Sequence, residues 1–257
     1  MGVKPTMTVI TCRGIGEPYP SPMLANVTRL LDPERFRIVA LPWSATYGPV
    51  PSVRGISFDK ALRTGREMLI DYIRRDPNPV VLLGYSGGAA LAGNVADEIA
   101  LGDHPGLDLR GVGLISDPLR SSVNDVNPGA TGCGIAGSRP IPGNFLVWHC
   151  ADPADVITCC PLDSPLRTFA DQSAAFSLAD PGAWATDLLD RLRTRRWQST
   201  IRDWRNIPAV LRAYRQAISD ARGYLTDDHT SYHLRRYPGT DRTYCEWMAD
   251  RINGIKE

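Results

Sequence analysis

The feature that most constrains the fold is a rhythm in the first part of the chain. Five short, apolar, β-branched runs recur at residues 7–12, 36–41, 80–83, 112–115 and 145–148. Each is too short for a stable helix and reads as a buried strand. Helical spacing fills the intervals. Over 57–74 the residues Phe58, Leu62, Leu69 and Ile73 share one face, and over 89–101 Leu91, Val95 and Ile99 fall at i, i+4 and i+8. Strands alternating with helices predict a doubly wound α/β fold around a mainly parallel five-stranded sheet. Such sheets bind ligands outside the carboxyl ends of their strands, so the residues following each run are the first candidates for function.

Beyond residue 148 the rhythm changes. From 162 to 225 only helical patterns occur, separated by Pro181, Gly182 and Pro208, with Trp184, Leu188, Leu189 and Leu192 on one face and Leu211, Tyr214, Ile218 and Leu225 on another. This predicts a helical insertion over 162–225 in an α/β core made of 1–161 and 226–257, consistent with one large domain for 257 residues. Arg191, Arg193, Arg195 and Arg196 read as a solvated helix face rather than a site for an anionic polymer. The balance of 29 Lys+Arg against 28 Asp+Glu gives no reason to expect nucleic acid as a partner. The longest apolar stretch, 79–84, is far below the roughly 18 residues a membrane span needs, so no transmembrane segment is expected. Nor does the N-terminal stretch resemble a signal peptide.

The sharpest local signal is Gly84-Tyr85-Ser86-Gly87-Gly88, between a strand and a helix. A turn sharp enough to lift a serine oxygen above the sheet needs small neighbours, because backbone passes close to backbone there. The following helix points its free N–H groups at charge developing beside the serine. Ser86 is therefore the candidate nucleophile, and it needs a base oriented by an acid.

The four histidines narrow the base. His104 and His149 read as structural, whereas His229 and His233 stand in a polar loop before the last helical stretch, 242–252. Candidate acids follow strands: Asp117, Asp152 and Asp155. Asp117 stands in Ser116-Asp117-Pro118, which reads equally well as a strand-terminating turn, and the Asp152-Pro153 pair would make a turn that leaves Asp155 to orient a histidine. The first βα loop, Arg13-Gly14-Ile15-Gly16-Glu17, would supply the Ile15 N–H as a partner for the Gly87 N–H in an oxyanion hole. A dinucleotide loop is not supported, since Tyr19 stands where the third glycine belongs. His149, Cys150, Cys159 and Cys160 lack the spacing of a zinc site. No cofactor or metal is expected. Cys150 and Cys159 are close enough in sequence to bridge, a point the sequence leaves open.

Arg13-Gly14-Ile15-Gly16-Glu17, Gly84-Tyr85-Ser86-Gly87-Gly88, Asp155 between Cys150 and Cys159, and His229-Thr230-Ser231-Tyr232 together resemble, in that order, motifs of the cutinase-like serine esterases. The resemblance implies the α/β-hydrolase fold, Ser86, His229 and Asp155 as triad, Ile15 and Gly87 as oxyanion hole, and a disulfide bracketing the acid. Ile15 and Gly87 depart from the serine and glutamine of the family motifs, and Cys159-Cys160 departs from its cysteine spacing. Within the family the chain is similar to phage lysis esterases. That likeness implies a mycolyl-arabinogalactan or other lipid ester substrate, synthesis in the host cytoplasm, and action at the bacterial envelope after release. Peripheral contact with the outer lipid layer would involve Trp184 and Trp197 of the insertion, which read equally as filling its own core. A general lipase acting on acylglycerols and a non-catalytic envelope-binding α/β module are the rival readings.

Overall fold

Two strands, β1 (Met7–Cys12) and β3 (Val80–Tyr85), are buried along their whole length in a computed structural model that describes residues 5–46, 58–123, 127–164, 167 and 227–256. Continuous apolar runs of this kind suit a sheet covered on both faces. With β2 (Phe36–Ala40), β4 (Leu109–Ile115) and β5 (Leu146–Cys150) they form a five-stranded parallel sheet in the order β2-β1-β3-β4-β5. This is the doubly wound α/β architecture expected from the sequence.

Strand alternation distributes the core between two faces. Ile10, Leu82, Val112 and Leu114 point to the side covered by α2 (Phe58–Arg75) and α3 (Gly87–Leu101). Val9, Val81, Leu83 and Ile115 point to the side covered by α1 (Pro22–Thr28) and α4 (Tyr244–Asn253), where Leu24, Val27, Met248 and Ile252 meet them. Helix α4 opens on a capping box: Glu246 N–H donates to Thr243 Oγ1 at 3.2 Å and Thr243 N–H to Glu246 Oε2 at 2.7 Å.

The structure shifts several boundaries. Strand β4 begins at Leu109 and includes Gly111 and Gly113, which interrupt the apolar run but leave room for the Trp148 ring and the Met248 sulfur. Strand β5 runs on to Cys150, so the loop after it begins at Ala151. Strand β3 keeps its pairing through Gly84 and Tyr85, which confines the turn to Ser86. Helix α1 had no sequence expectation; Ser21 caps it by accepting from Leu24 N–H at 3.1 Å, and Pro22 fills its first turn.

The disulfide bracketing the acid is not formed: no two of the six buried cysteines are joined. The Cys150 thiol donates to the Tyr244 carbonyl at 3.5 Å, whereas the Cys159 sulfur accepts from Arg120 at 3.7 Å. Among the described residues no helix is long and apolar enough to cross a membrane. Of the segment 162–225, residues 162–164 and 167 are described. The expected insertion helices lie outside the described residues, with Trp184, Trp197 and Arg191, Arg193, Arg195 and Arg196.

In this strand order the winding reverses between β1 and β3, and it is outside the carboxyl ends of strands at such a reversal that open α/β sheets hold their ligands. The loops after β1 and β3 carry the residues nominated above.

Candidate active site

Ser86 occupies the whole turn between β3 and α3, at φ 54° and ψ −121°. A non-glycine residue there is strained, and such strain persists only where its surroundings enforce it. They do so through close packing. A β-carbon on Gly84 would overlap the Gly88 carbonyl, and one on Gly88 would overlap the Cys12 carbonyl at the end of β1. Ser86 N–H donates to the Ile115 carbonyl at 2.9 Å, tying the turn to β4. Ser86 stands at the N-cap of α3 without capping it, so its hydroxyl is directed to a different partner.

That partner is His229, whose Nε2 lies 2.8 Å from Ser86 Oγ. Tyr85 holds the histidine in two ways. Its hydroxyl donates to the His229 carbonyl at 2.8 Å, and its ring stacks on the imidazole with centroids 5.2 Å apart. His233, the other candidate, is exposed and bonds the Thr230 carbonyl at 3.1 Å. His104 pairs with Glu98 at 2.8 Å, and His149 lies on β5.

Behind His229 Nδ1, at 3.1 Å, lies Asp155 Oδ2. Asp155 is fully buried, and burial alone would raise its pKa. The charge of His229 and hydrogen bonds from His229, Ser116 and Tyr232 outweigh burial and hold the carboxyl below its ordinary value. Oδ2 accepts from the Ser116 hydroxyl and from Tyr232 at 2.8 Å, while Oδ1 accepts from Ile157 N–H at 3.0 Å. Burial and the neighbouring Asp155 carboxylate push the Tyr232 phenol well up, so it remains a donor.

The other acids are engaged elsewhere. Asp152 accepts from Ala154 N–H at 3.0 Å and pairs with Arg235 at 2.8 Å. Asp117 forms a buried ion pair with Arg139 at 2.6 Å. In place of the bracketing disulfide, buried Arg120 clamps the acid loop, donating to the Thr158 carbonyl at 2.7 Å and the Thr131 carbonyl at 2.8 Å.

The loop after β1 is pinned by Glu17. Its carboxylate accepts from Gly14 N–H at 2.7 Å, the Ser21 hydroxyl at 2.7 Å and Met23 N–H at 3.2 Å, while Gly16 N–H donates to the Ala45 carbonyl at 3.1 Å. Among the described residues no carbonyl or side chain accepts from Ile15 N–H, and Gly87 N–H opens α3, where the helix has no acceptor for it. Ile15 lies against the elbow: a β-carbon on Gly87 would come within 2.6 Å of Ile15 Cγ1. The apolar Ile15 side chain thus fills space that a side chain at position 87 would need. A serine hydroxyl bonded to an imidazole, with backbone N–H groups at positions 15 and 87 that have no protein acceptor among the described residues, is an arrangement capable of acyl transfer.

Ser116, at the carboxyl end of β4, was read from the sequence as part of a turn. Its hydroxyl meets both Asp155 Oδ2 and, at 3.0 Å, His229 Nδ1. The one available signal was its position directly after a strand.

No model of a known protein family and no curated protein matches the chain. Among solved structures it is similar to lysin B from Mycobacteriophage D29, at 18% identity and a TM-score of 0.53 over 97% of this chain and 98% of that one. It is also similar to a cutinase-like protein from Cryptococcus sp., at 22% identity and a TM-score of 0.44 over 61% and 80% of the two chains. A third similar structure is the catalytic core domain of acetyl xylan esterase from Trichoderma reesei, at 16% identity and a TM-score of 0.46 over 76% and 98%. At 18% identity the first likeness shows a shared fold alone.

Proposed function

We propose that this chain is a serine esterase that cuts lipid esters by an acyl-enzyme route, and that its substrate is the ester joining mycolic acid to arabinogalactan in the mycobacterial envelope. The observation that carries the reading is the continuous contact Ser86 Oγ to His229 Nε2 at 2.8 Å and His229 Nδ1 to Asp155 at 3.1 Å. In this reading His229 Nε2 takes the Ser86 proton as Oγ attacks the ester carbonyl. The N–H groups of Gly87 and Ile15 receive the oxyanion, a donor pair of which each member typically contributes ~10²–10³ in rate. Collapse of the tetrahedral intermediate breaks the ester C–O bond, and His229 returns the proton to the leaving alcohol oxygen. Water, deprotonated by His229, then releases the fatty acid and restores Ser86. Throughout, Asp155 holds the imidazole in one tautomer and stabilises its charged form.

The order of the motifs and the fold shared with lysin B from Mycobacteriophage D29 over nearly the whole of both chains support the choice of substrate. In the same reading the enzyme acts at the envelope after release from the host cytoplasm, in peripheral contact with the outer lipid layer. Hydrolysis of p-nitrophenyl butyrate by wild type and by Ser86→Ala, with folding checked by circular dichroism, tests the chemistry: activity is expected in the first and lost in the second. Release of mycolic acid from purified mycolyl-arabinogalactan tests the substrate. Faster turnover of triacylglycerol would replace it with an acylglycerol lipase, and binding to envelope glycolipid without turnover would replace it with a non-catalytic module.

A further inference from the structure

We propose that Ser116 is a positioning residue that fixes the tautomer of His229, a role that deepens the esterase reading above and rests on it for its catalytic consequence. The argument is a count of protons. Asp155 is held as a carboxylate and brings none. Tyr232 gives its proton to Asp155 Oδ2, because its oxygen already accepts from Asp152 N–H at 3.2 Å. Ser116 has one proton, and the carboxylate oxygen takes it, since a bond to an ionised acceptor is stronger than one to the Tyr232 oxygen or to a neutral imidazole nitrogen. The lone pairs of Ser116 Oγ therefore face His229 Nδ1, 3.0 Å away. A contact at that distance between lone pairs alone would be repulsive, so Nδ1 must carry the hydrogen. The Nδ1–H is shared between Ser116 Oγ and Asp155 Oδ2, and the Nε2 lone pair is left to Ser86.

Backbone strain is an independent observation at the same residue. Ser116 is fully buried and sits at φ 53°, as Ser86 does at φ 54° on the neighbouring strand. The two serines end adjacent parallel strands in the same way: Ser86 N–H donates to Ile115 O and Ser116 N–H to Cys150 O, both at 2.9 Å. Glycine would adopt this conformation without strain. The hydroxyl is what a serine adds there, and its contacts are to His229, to Asp155 and to the Tyr232 phenol that also bonds Asp155.

Among the described residues, the groups facing His229 include the Tyr85 ring from β3, the Ser86 hydroxyl from the elbow, Ser116 from β4 and Asp155 from the acid loop. Behind Asp155 lies the Tyr232 phenol, and the next charges, Asp152 and Arg235, pair with each other.

The test compares wild type with Ser116→Gly, which removes the hydroxyl and relieves the strain, and with Ser116→Ala as a second variant that keeps the β-carbon. On p-nitrophenyl butyrate the expected result is a kcat about 10- to 100-fold lower at unchanged KM, the equivalent of one charge-assisted hydrogen bond. In the downfield proton spectrum, the His229 Nδ1–H signal, assigned by its loss in His229→Gln, is expected to move in both folded variants. An unmoved signal, or a Ser116→Gly enzyme with wild-type kcat, would overturn the proposal. The spectrum needs no substrate. A wild type without esterase activity whose signal still moves in Ser116→Gly would refute the esterase reading while supporting this role.

Discussion

Replacing Tyr232 by phenylalanine isolates what one buried hydroxyl does for the acid of the candidate site. The ring packs edge-on against Tyr244 with centroids 5.1 Å apart, and phenylalanine keeps that contact. The hydroxyl donates to Asp155 Oδ2 and accepts from the backbone N–H of Asp152. Its loss removes a hydrogen bond to a charged group, about 1.5–3 kcal/mol, and strands a buried N–H, about 1–3 kcal/mol. Because both effects run through one oxygen they do not simply add, and the expected destabilisation is about 2–4 kcal/mol. In a domain of this size that is roughly 4–16 °C in Tm. The effect also has a pH signature. The folded-state pKa of Asp155 lies below its ordinary 3.8, so the stability it contributes is present above that value and is lost as pH falls through the folded one. The gap between wild type and variant should therefore narrow below about pH 4, leaving the part due to the stranded N–H. Thermal and urea denaturation at neutral and acid pH measure both quantities. A neutral-pH difference within about 0.5 kcal/mol, the range of an ordinary surface substitution, or a gap that widens in acid, would refute the reasoning.

Three further outcomes are expected. His229→Ala should lower kcat by several orders of magnitude and Asp155→Asn by about 10⁴, while His233→Ala, outside the network, should leave kcat near wild type; steady-state esterase kinetics on the folded variants decide this. Gly87→Ala should lower activity because its β-carbon meets Ile15 Cγ1 at 2.6 Å, and Ile15→Ala in the same chain should restore part of it; additive losses in the double-mutant cycle would show that the two positions do not compete for space. Arg139→Ala should cost about 3–5 kcal/mol by leaving the Asp117 carboxylate buried and unpaired; chemical denaturation that shows no loss would remove the buried pair as a stabilising element.

What the sequence made legible was local or periodic. Strand runs, helix faces and the tight Gly-Ser-Gly turn each lie within a few consecutive residues, and the chain order of Ser86, Asp155 and His229 narrowed the rest. The structure brings these three within hydrogen-bond reach. What stayed hidden depends on contacts between distant segments. Gly111 and Gly113 look like breaks in an apolar run until Trp148 and Met248 fill the space above them. Ser116 looks like a turn residue because its partners, at 155 and 229, come from other parts of the chain. The cysteines show the same limit. Nearness of Cys150 and Cys159 in sequence does not fix where the sulfurs point, and here one turns to Tyr244 and the other to Arg120.

Tyr85 touches three parts of the centre at once. It is the residue before Ser86, its ring lies against Gly14 of the loop after β1, and it holds His229 by both ring and hydroxyl. His229 therefore takes its place from the strand that leads into Ser86, although 74 residues separate it from Asp155 along the chain. One ring on β3 thus couples the elbow, the loop after β1 and the imidazole, so a substitution that tilts it would displace all three together.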